Sequence, residues 1–229
     1  MKKVVVISLG GSIIIPDEVH TTLLRDFKHI LLNHRRHFKF VVVCGGGKTA
    51  RNYIHGLEGE SLFHKTHVQT NLGIMATRLN ARFMMYFFGN YVNKTLPKDM
   101  KEVHDYLEKH SIVFCGALRY AKNQTSDATA AQLAHYLSSD LINLTDVAGL
   151  YDTDPHKDRH AKFISEMTHA NFLKMTNTLS FKPGQHFVLD QKAAYIIKKH
   201  NIRTFILGSV RDFDYLLRGK HFIGTIIEG

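Results

Sequence analysis

A chain of 229 residues, 44% hydrophobic and 22% charged, has the composition of an ordinary water-soluble globule at the upper size of a single core. No apolar run approaches the roughly 18 residues of a membrane span, and the first such run is too short, and too soon followed by glycines, for a signal peptide; a cytoplasmic protein is expected. The formal charge of +10 favours anionic ligands, but basic residues are dispersed, with short clusters at residues 34–37 and 198–200 and no aromatic-interleaved motif, so small phosphates are favoured over nucleic acid.

The chain opens on a continuous β-branched run at residues 4–9, of the kind buried in a parallel sheet, followed by Gly10 and Gly11. Leu23, Leu24, Phe27, Ile30 and Leu31 repeat at helical spacing and predict a helix over 19–33. A second strand at 40–44 opens directly onto Gly45, Gly46 and Gly47, and helices are predicted at 48–56, 68–88 and 99–109. The aromatic and methionine-rich end of the long helix, residues 83–88, reads as core or subunit contact. A strand at 112–115, a polar loop to residue 125, a helix at 127–137 and a strand at 141–144 follow. Beyond an aspartate-rich segment come helices at 168–175 and 189–200, a strand at 204–207, a short helix at 210–218 and a last strand at 223–227. Repeated β-α-β order predicts an α/β fold: a three-layer αβα sandwich around a mainly parallel central sheet. No linker or repeat interrupts it, so residues 1–229 read as one domain.

Cys44 and Cys115 fall inside apolar strands without metal-ligand spacing and read as buried free thiols. The sixteen histidines show no zinc-like arrangement, and no metal site is expected on the chain itself.

Chemistry enters at the glycines. A backbone without Cβ atoms approaches a phosphate closely enough for several N–H groups to point at it, and a following helix adds its positive end. Gly10-Gly11-Ser12 and Gly45-Gly46-Gly47 each supply such a nest, about 35 residues apart at the ends of consecutive strands. Facing one crevice, they suit a phosphate donor and a phosphate acceptor; the plainer account is that they only permit tight turns. Neither has the spacing of a Walker loop or of a dinucleotide fingerprint.

These two segments, together with Leu72-Gly73-Ile74, Thr77-Arg78-Leu79-Asn80-Ala81, Thr125-Ser126-Asp127-Ala128 and the run from Thr145 to Pro155, resemble the amino acid kinase superfamily, and within it the uridylate (UMP) kinases of archaeal type. Asp190 with Ala193-Ala194-Tyr195-Ile196-Ile197 and the closing Gly224-Thr225-Ile226-Ile227-Glu228 extend the likeness over nearly the whole chain. The resemblance implies an ATP-dependent nucleoside monophosphate kinase of pyrimidine nucleotide synthesis, working with ATP and Mg2+. The γ-phosphoryl group of ATP would pass to UMP, with an acceptor lobe over roughly 1–137, an ATP lobe over roughly 138–229, and assembly as a homo-oligomer, hexamer or dimer.

Carried over position by position, the resemblance places Gly10, Gly11 and Ser12 on the transferring phosphate. Gly46, Thr70, Gly116, Thr125 and Ser126 fall on UMP, and Ser8, Gly47, Arg51, Thr145, Tyr151 and Asp154 on ATP. Asp146 would orient a basic group near the phosphates. Plain structural roles exist for several: a surface charge at Arg51, a turn at Tyr151 and Asp154, a helix cap at Thr125 and Ser126.

Three departures fall in the acceptor or transfer region. Ser8 stands where many members of the superfamily carry a lysine, leaving Lys48 and Lys182 as candidate replacements, with Lys48 favoured. Thr70 stands where the archaeal enzymes usually place an aspartate for the ribose. The loop 117–124, with Arg119 and Lys122, looks longer and more basic than expected. They keep open a kinase of the same fold for another small phosphorylated acceptor, or a nucleotide-binding storage protein of the molybdenum storage type with weak or no transfer.

Overall fold

The computed structural model describes residues 2–61, 63–118, 124–178 and 188–229. The β-branched N-terminal run forms β1 (Lys3–Leu9), whose last five residues are buried, as a strand covered on both faces requires. It pairs in parallel with β2 (Phe38–Cys44) on one side and β4 (Asp140–Leu144) on the other. β3 (Ile112–Cys115) extends the sheet beyond β2, and β8 (Thr204–Leu207) beyond β4, again in parallel. Only the far edge reverses: β9 (Thr225–Ile227) runs antiparallel to β8, and β7 (Glu166–Met167) pairs with β9. The order in this seven-stranded sheet is β3-β2-β1-β4-β8-β9-β7.

Alternation along the strands splits the core into two layers. Val5, Ile7 and Leu9 of β1 join one cluster with α1 (Gly11–Ile14), α2 (Thr21–His34), α4 (Lys65–Phe88) and α9 (Val210–Leu217). Val6 joins the other with α5 (Met100–Lys109), α6 (Ser126–Tyr136), α7 (His169–Thr178) and α8 (Gln191–Lys199). The result is the three-layer sandwich expected from the strand-helix order. Met84, Met85 and Phe88 of α4 are buried, while Tyr86 stays 75% exposed, so the aromatic end of this helix is only partly core.

Local chemistry sets the helix starts. Asp99, Thr125, Asp190 and Ser209 each accept the backbone N–H three residues ahead, at α5, α6, α8 and α9, and such a cap is worth about 1 kcal/mol. The two thiols, on neighbouring strands, are buried and free; burial pushes Cys115 up to about 12 and raises Cys44 as well.

Several small elements go beyond the sequence-based expectation. α1 occupies one turn directly after the first glycines, a hairpin of β5 (Leu150–Tyr151) and β6 (Phe163–Ile164) lies within the aspartate-rich segment, and β7 closes the sheet edge. Elements of two to four residues carry too few side chains to show a period.

Candidate active site

A parallel sheet brings the carboxyl ends of its strands to one edge, and the three segments singled out by sequence follow β2, β1 and β4, which are neighbours. Three backbone bonds tie the strand ends together: Gly45 N–H donates to the Leu9 carbonyl at 2.8 Å, Gly10 N–H to Leu144 at 3.0 Å, and Thr145 N–H to Leu207 at 3.0 Å. The two glycine loops therefore lie side by side and touch. A Cβ on Gly11 would fall on the backbone of Gly46 and Gly47, one on Gly45 would stand 2.6 Å from Gly11 N, and Gly47 has φ +57°. Contact between the loops thus requires these glycines by itself, whatever ligand the loops also hold.

Helix α4 fixes the second loop from behind. The buried Asn80 donates its amide to the Gly45 carbonyl at 2.8 Å and reaches that of Gly46 at 3.4 Å. Thr77 donates to the Ile74 carbonyl and accepts from Ala117 N–H at 2.9 Å, pinning the end of β3. A Cβ on Gly116 would sit 2.7 Å from Arg78 N, so α4 already occupies the side on which Gly116 lacks an atom.

The cations lie on α3 (Gly47–His55), whose N-terminus is Gly46-Gly47. Lys48 pairs with Asp17 across the mouth of the first loop; both are exposed, and such pairs are worth about 0–1 kcal/mol, so the ammonium is easily recruited elsewhere. Arg51, one turn on and half-buried, forms no ion pair among the described residues. Ser12 lies half-buried in α1. Lys182, Arg119 and Lys122 lie outside the described residues.

On the opposite wall, Thr125 caps α6, accepting Ala128 N–H at 3.0 Å, and donates its hydroxyl to Asp190 Oδ2. Ser126 begins α6 and Asp127 follows it. Ser8, 1% exposed, donates to Asp127 Oδ1 at 2.8 Å. Burial first and the neighbouring Asp190 second push Asp127 up to about 7, against the pull of the Ser8 bond.

Around the rim, side chains serve local structure. The Thr145 hydroxyl donates to the exposed Asp146 carboxylate at 3.1 Å. Tyr151 packs edge-on against Phe163 across the hairpin, with ring centroids 5.5 Å apart. Asp154 Oδ1 accepts His156 N–H at 3.0 Å and Oδ2 faces Lys157 at 3.3 Å; the His156 bond above all holds its carboxyl below the usual range. Thr70 donates its hydroxyl to the Thr66 carbonyl, one turn back on α4.

The model of the amino acid kinase family matches residues 3–208. The chain belongs to the amino acid kinase family. It is 31% identical over 228 residues to the uridylate kinase of Methanococcus aeolicus, covering 98% of this chain and 99% of that one. It is 33% identical over 230 residues to the uridylate kinase of Methanocaldococcus jannaschii, with the same coverage. The crystal structure of uridylate kinase from Archaeoglobus fulgidus superposes with a TM-score of 0.83 at 30% identity, covering 99% of this chain and 100% of that one.

Two residues matter more than sequence reasoning allows. One is Asn80: a lone asparagine between apolar helix positions is the signal the sequence offers, because a buried amide needs partners. The other is Asp127, which the sequence marks only as a helix start. Its weight comes from Ser8 and Asp190, 119 and 63 residues away, which the fold brings to it.

Proposed function

We propose that this chain transfers the γ-phosphoryl group of ATP to the α-phosphate of UMP, releasing ADP and UDP. The observation that carries the reading is the adjacency of the loops after β2, β1 and β4, bonded backbone to backbone, in a chain similar over its whole length to proteins named uridylate kinase.

Phosphoryl transfer asks a protein for position and positive charge more than for a nucleophile, since both substrates are anionic. Gly10, Gly11 and Ser12 hold the transferring group with backbone N–H donors, and Gly46 meets the acceptor phosphate where α3 begins. Gly47 and Arg51 face the ATP phosphates, and Lys48 leaves Asp17 to add its charge. Thr145, Tyr151 and Asp154 border the adenosine from the 138–229 side, while Asp146 orients a basic group. Gly116, Thr125, Ser126 and Thr70 border UMP from the 1–137 side. Magnesium, bound to the ATP phosphates, would draw charge from the transferring group. A cytoplasmic homo-oligomer, hexamer or dimer, completes the reading.

Coupled ADP release across a panel of nucleoside monophosphates tests it. UMP-dependent turnover is expected to exceed that with AMP, GMP or CMP by at least about tenfold, a difference of about 1.4 kcal/mol in transition-state binding. Turnover with another acceptor alone, or ATP binding without turnover, would overturn it. One observation favours a different phosphorylated acceptor: the Thr70 hydroxyl is spent on its own helix and offers a ribose less than a carboxylate does.

A further inference from the structure

The hairpin of β5 and β6 carries Tyr151, yet it has little of its own to hold it in place. A pair of two-residue strands is marginal in water, so its order must come from what it docks on. Leu150 is fully buried and anchors β5 in the core, but the next rung stands further out: Tyr151 is half-buried and Phe163 is 40% exposed. The angle at which that rung leaves the sheet has to be set from elsewhere.

Thr225, the first residue of β9, reaches it with one hydroxyl. The backbone ladder to β8, where Thr225 faces Ile206, holds β9 itself, and the Thr225 side chain is wholly buried. Its Oγ1 accepts the Leu150 N–H at 2.7 Å and donates to the Ile164 carbonyl at 2.5 Å. Leu150 and Ile164 are partners in the hairpin, so the hydroxyl joins both members of one rung, and the rung after it is Tyr151 and Phe163. The approach bars a side chain at the preceding residue: a Cβ on Gly149 would stand 2.5 Å from Thr225 Oγ1 and 2.8 Å from Phe163 Cε2. The backbone of β9 reaches the other strand, where Ile226 N–H donates to the Ser165 carbonyl at 2.9 Å just past β6. The hydroxyl reaches β5. A methyl group in its place would leave a buried N–H and a carbonyl facing carbon, which is costly for both.

We propose that Thr225 is a positioning residue for the phosphoryl donor: its hydroxyl sets the angle of the β5–β6 hairpin and so presents the Tyr151 ring to the adenosine. The inference rests on the reading above in which ATP is the donor and Tyr151 borders its adenosine. ATP binds the docked hairpin, so loss of the hydroxyl lowers the docked fraction and raises the apparent dissociation constant by the inverse of that fraction. The acceptor side is held differently, by Asn80 and Thr77 of α4 on the second glycine loop and the end of β3. The effect of Thr225 therefore falls on one substrate.

Calorimetric titration of the full chain with ATP and, separately, with UMP tests the assignment. Thr225→Val keeps the branched shape and removes the hydroxyl, whereas Thr225→Ser keeps the hydroxyl. The valine variant should bind ATP about tenfold more weakly, a change of about 1.4 kcal/mol, with the UMP constant within about twofold of wild type. The serine variant should recover ATP binding to within about threefold. In a Tyr151→Ala background, itself weaker for ATP, the valine change should add less than about twofold, because the ring it positions is gone. Wild-type ATP affinity in the valine variant, equal weakening toward ATP and UMP, no recovery with serine, or full additivity with Tyr151→Ala overturns the proposal. Should the valine variant not fold, amide hydrogen exchange on the wild-type protein decides: exchange at Leu150 should slow at least about threefold with saturating ATP and stay unchanged with UMP, and an equal response to both overturns the assignment. ADP release with UMP on the same wild-type sample reports separately on the kinase reading. ATP binding without UMP turnover would end that reading and leave the Thr225 result to stand or fall on the ATP titrations; a wild-type protein that does not bind ATP overturns both.

Discussion

The paired glycine loops and the segment from Thr145 to Ile164 both border the candidate site, yet they are built by opposite means. In the loops, backbone meets backbone: Gly11 against Gly46 and Gly47, Gly45 against Gly11, with Asn80 holding the Gly45 carbonyl from a buried position. In the rim segment, side chains close turns on their own neighbours: Asp154 on His156, Asp152 on Lys162 N–H at 2.7 Å, Tyr151 on Phe163. Where backbone fills the space, one methyl group has nowhere to go. Where exposed side chains make the turn, the chain can re-form it with water.

Substitution effects should follow that division, and the largest is expected at Gly11→Ala. The added Cβ meets main chain rather than a movable side chain, so the two loops must part. Overpacking of this kind costs about 1–3 kcal/mol, and a shift of about 1 Å in phosphate position costs roughly 100-fold in rate. UMP-dependent ADP release is expected to fall by at least that factor. Activity near wild type would show that the loops separate freely and that their contact is incidental. Next comes Arg51→Ala, a change on α3 that removes charge without touching the loop contact. The Michaelis constant for ATP should rise about tenfold with the melting temperature unchanged, a loss of about 1.4 kcal/mol of binding. Unchanged kinetics would put Arg51 outside the ATP phosphates. Asn80→Ala sharpens the comparison from the other direction: it leaves the Gly45 carbonyl without its buried donor, which costs about 1–3 kcal/mol. A melting temperature several degrees lower should accompany a loss of activity smaller than that at Gly11.

The same division explains what the sequence could show. The β-branched runs that became β1 and β2, and the glycines after them, stood out because strand and loop there obey local rules: continuous apolar character for burial on both faces, and no Cβ at a close approach. The amphipathic helices were legible for a similar reason, with Leu24, Phe27 and Leu31 on the buried side of α2. The hairpin of β5 and β6 was not, since its two-residue strands sit among aspartates that argue equally well for a plain loop. Ser8 was legible only as a missing lysine. That it is a buried hydroxyl bonded to Asp127 depends on the β1 register against β4 and on α6 lying across both, which no short stretch of sequence contains. The carboxylate pair is a property of the fold, and the glycine cradle largely a property of the sequence.

The smallest effect is expected at Asp154→Ala, and it is the change best able to break the comparison. Both carboxylate oxygens are already used within the turn, on His156 N–H and the Lys157 ammonium, and the side chain is 35% exposed. If Asp154 acts on ATP only through the shape of the hairpin, its loss lets the turn fray while Tyr151 stays packed on Phe163. The Michaelis constant for ATP should then rise no more than about threefold, under about 0.7 kcal/mol, with little change in melting temperature. Its lowered carboxyl gives a second check: the contribution of Asp154 is present above the usual aspartate range and lost as pH falls below it, so the stability difference between wild type and variant should shrink on acidification. A rise of about tenfold in the ATP constant at neutral pH, with stability untouched, would mean that the carboxylate leaves its turn to grip the nucleotide. The rim would then be a binding element in its own right, and the contrast with the glycine loops would be one of material rather than of task.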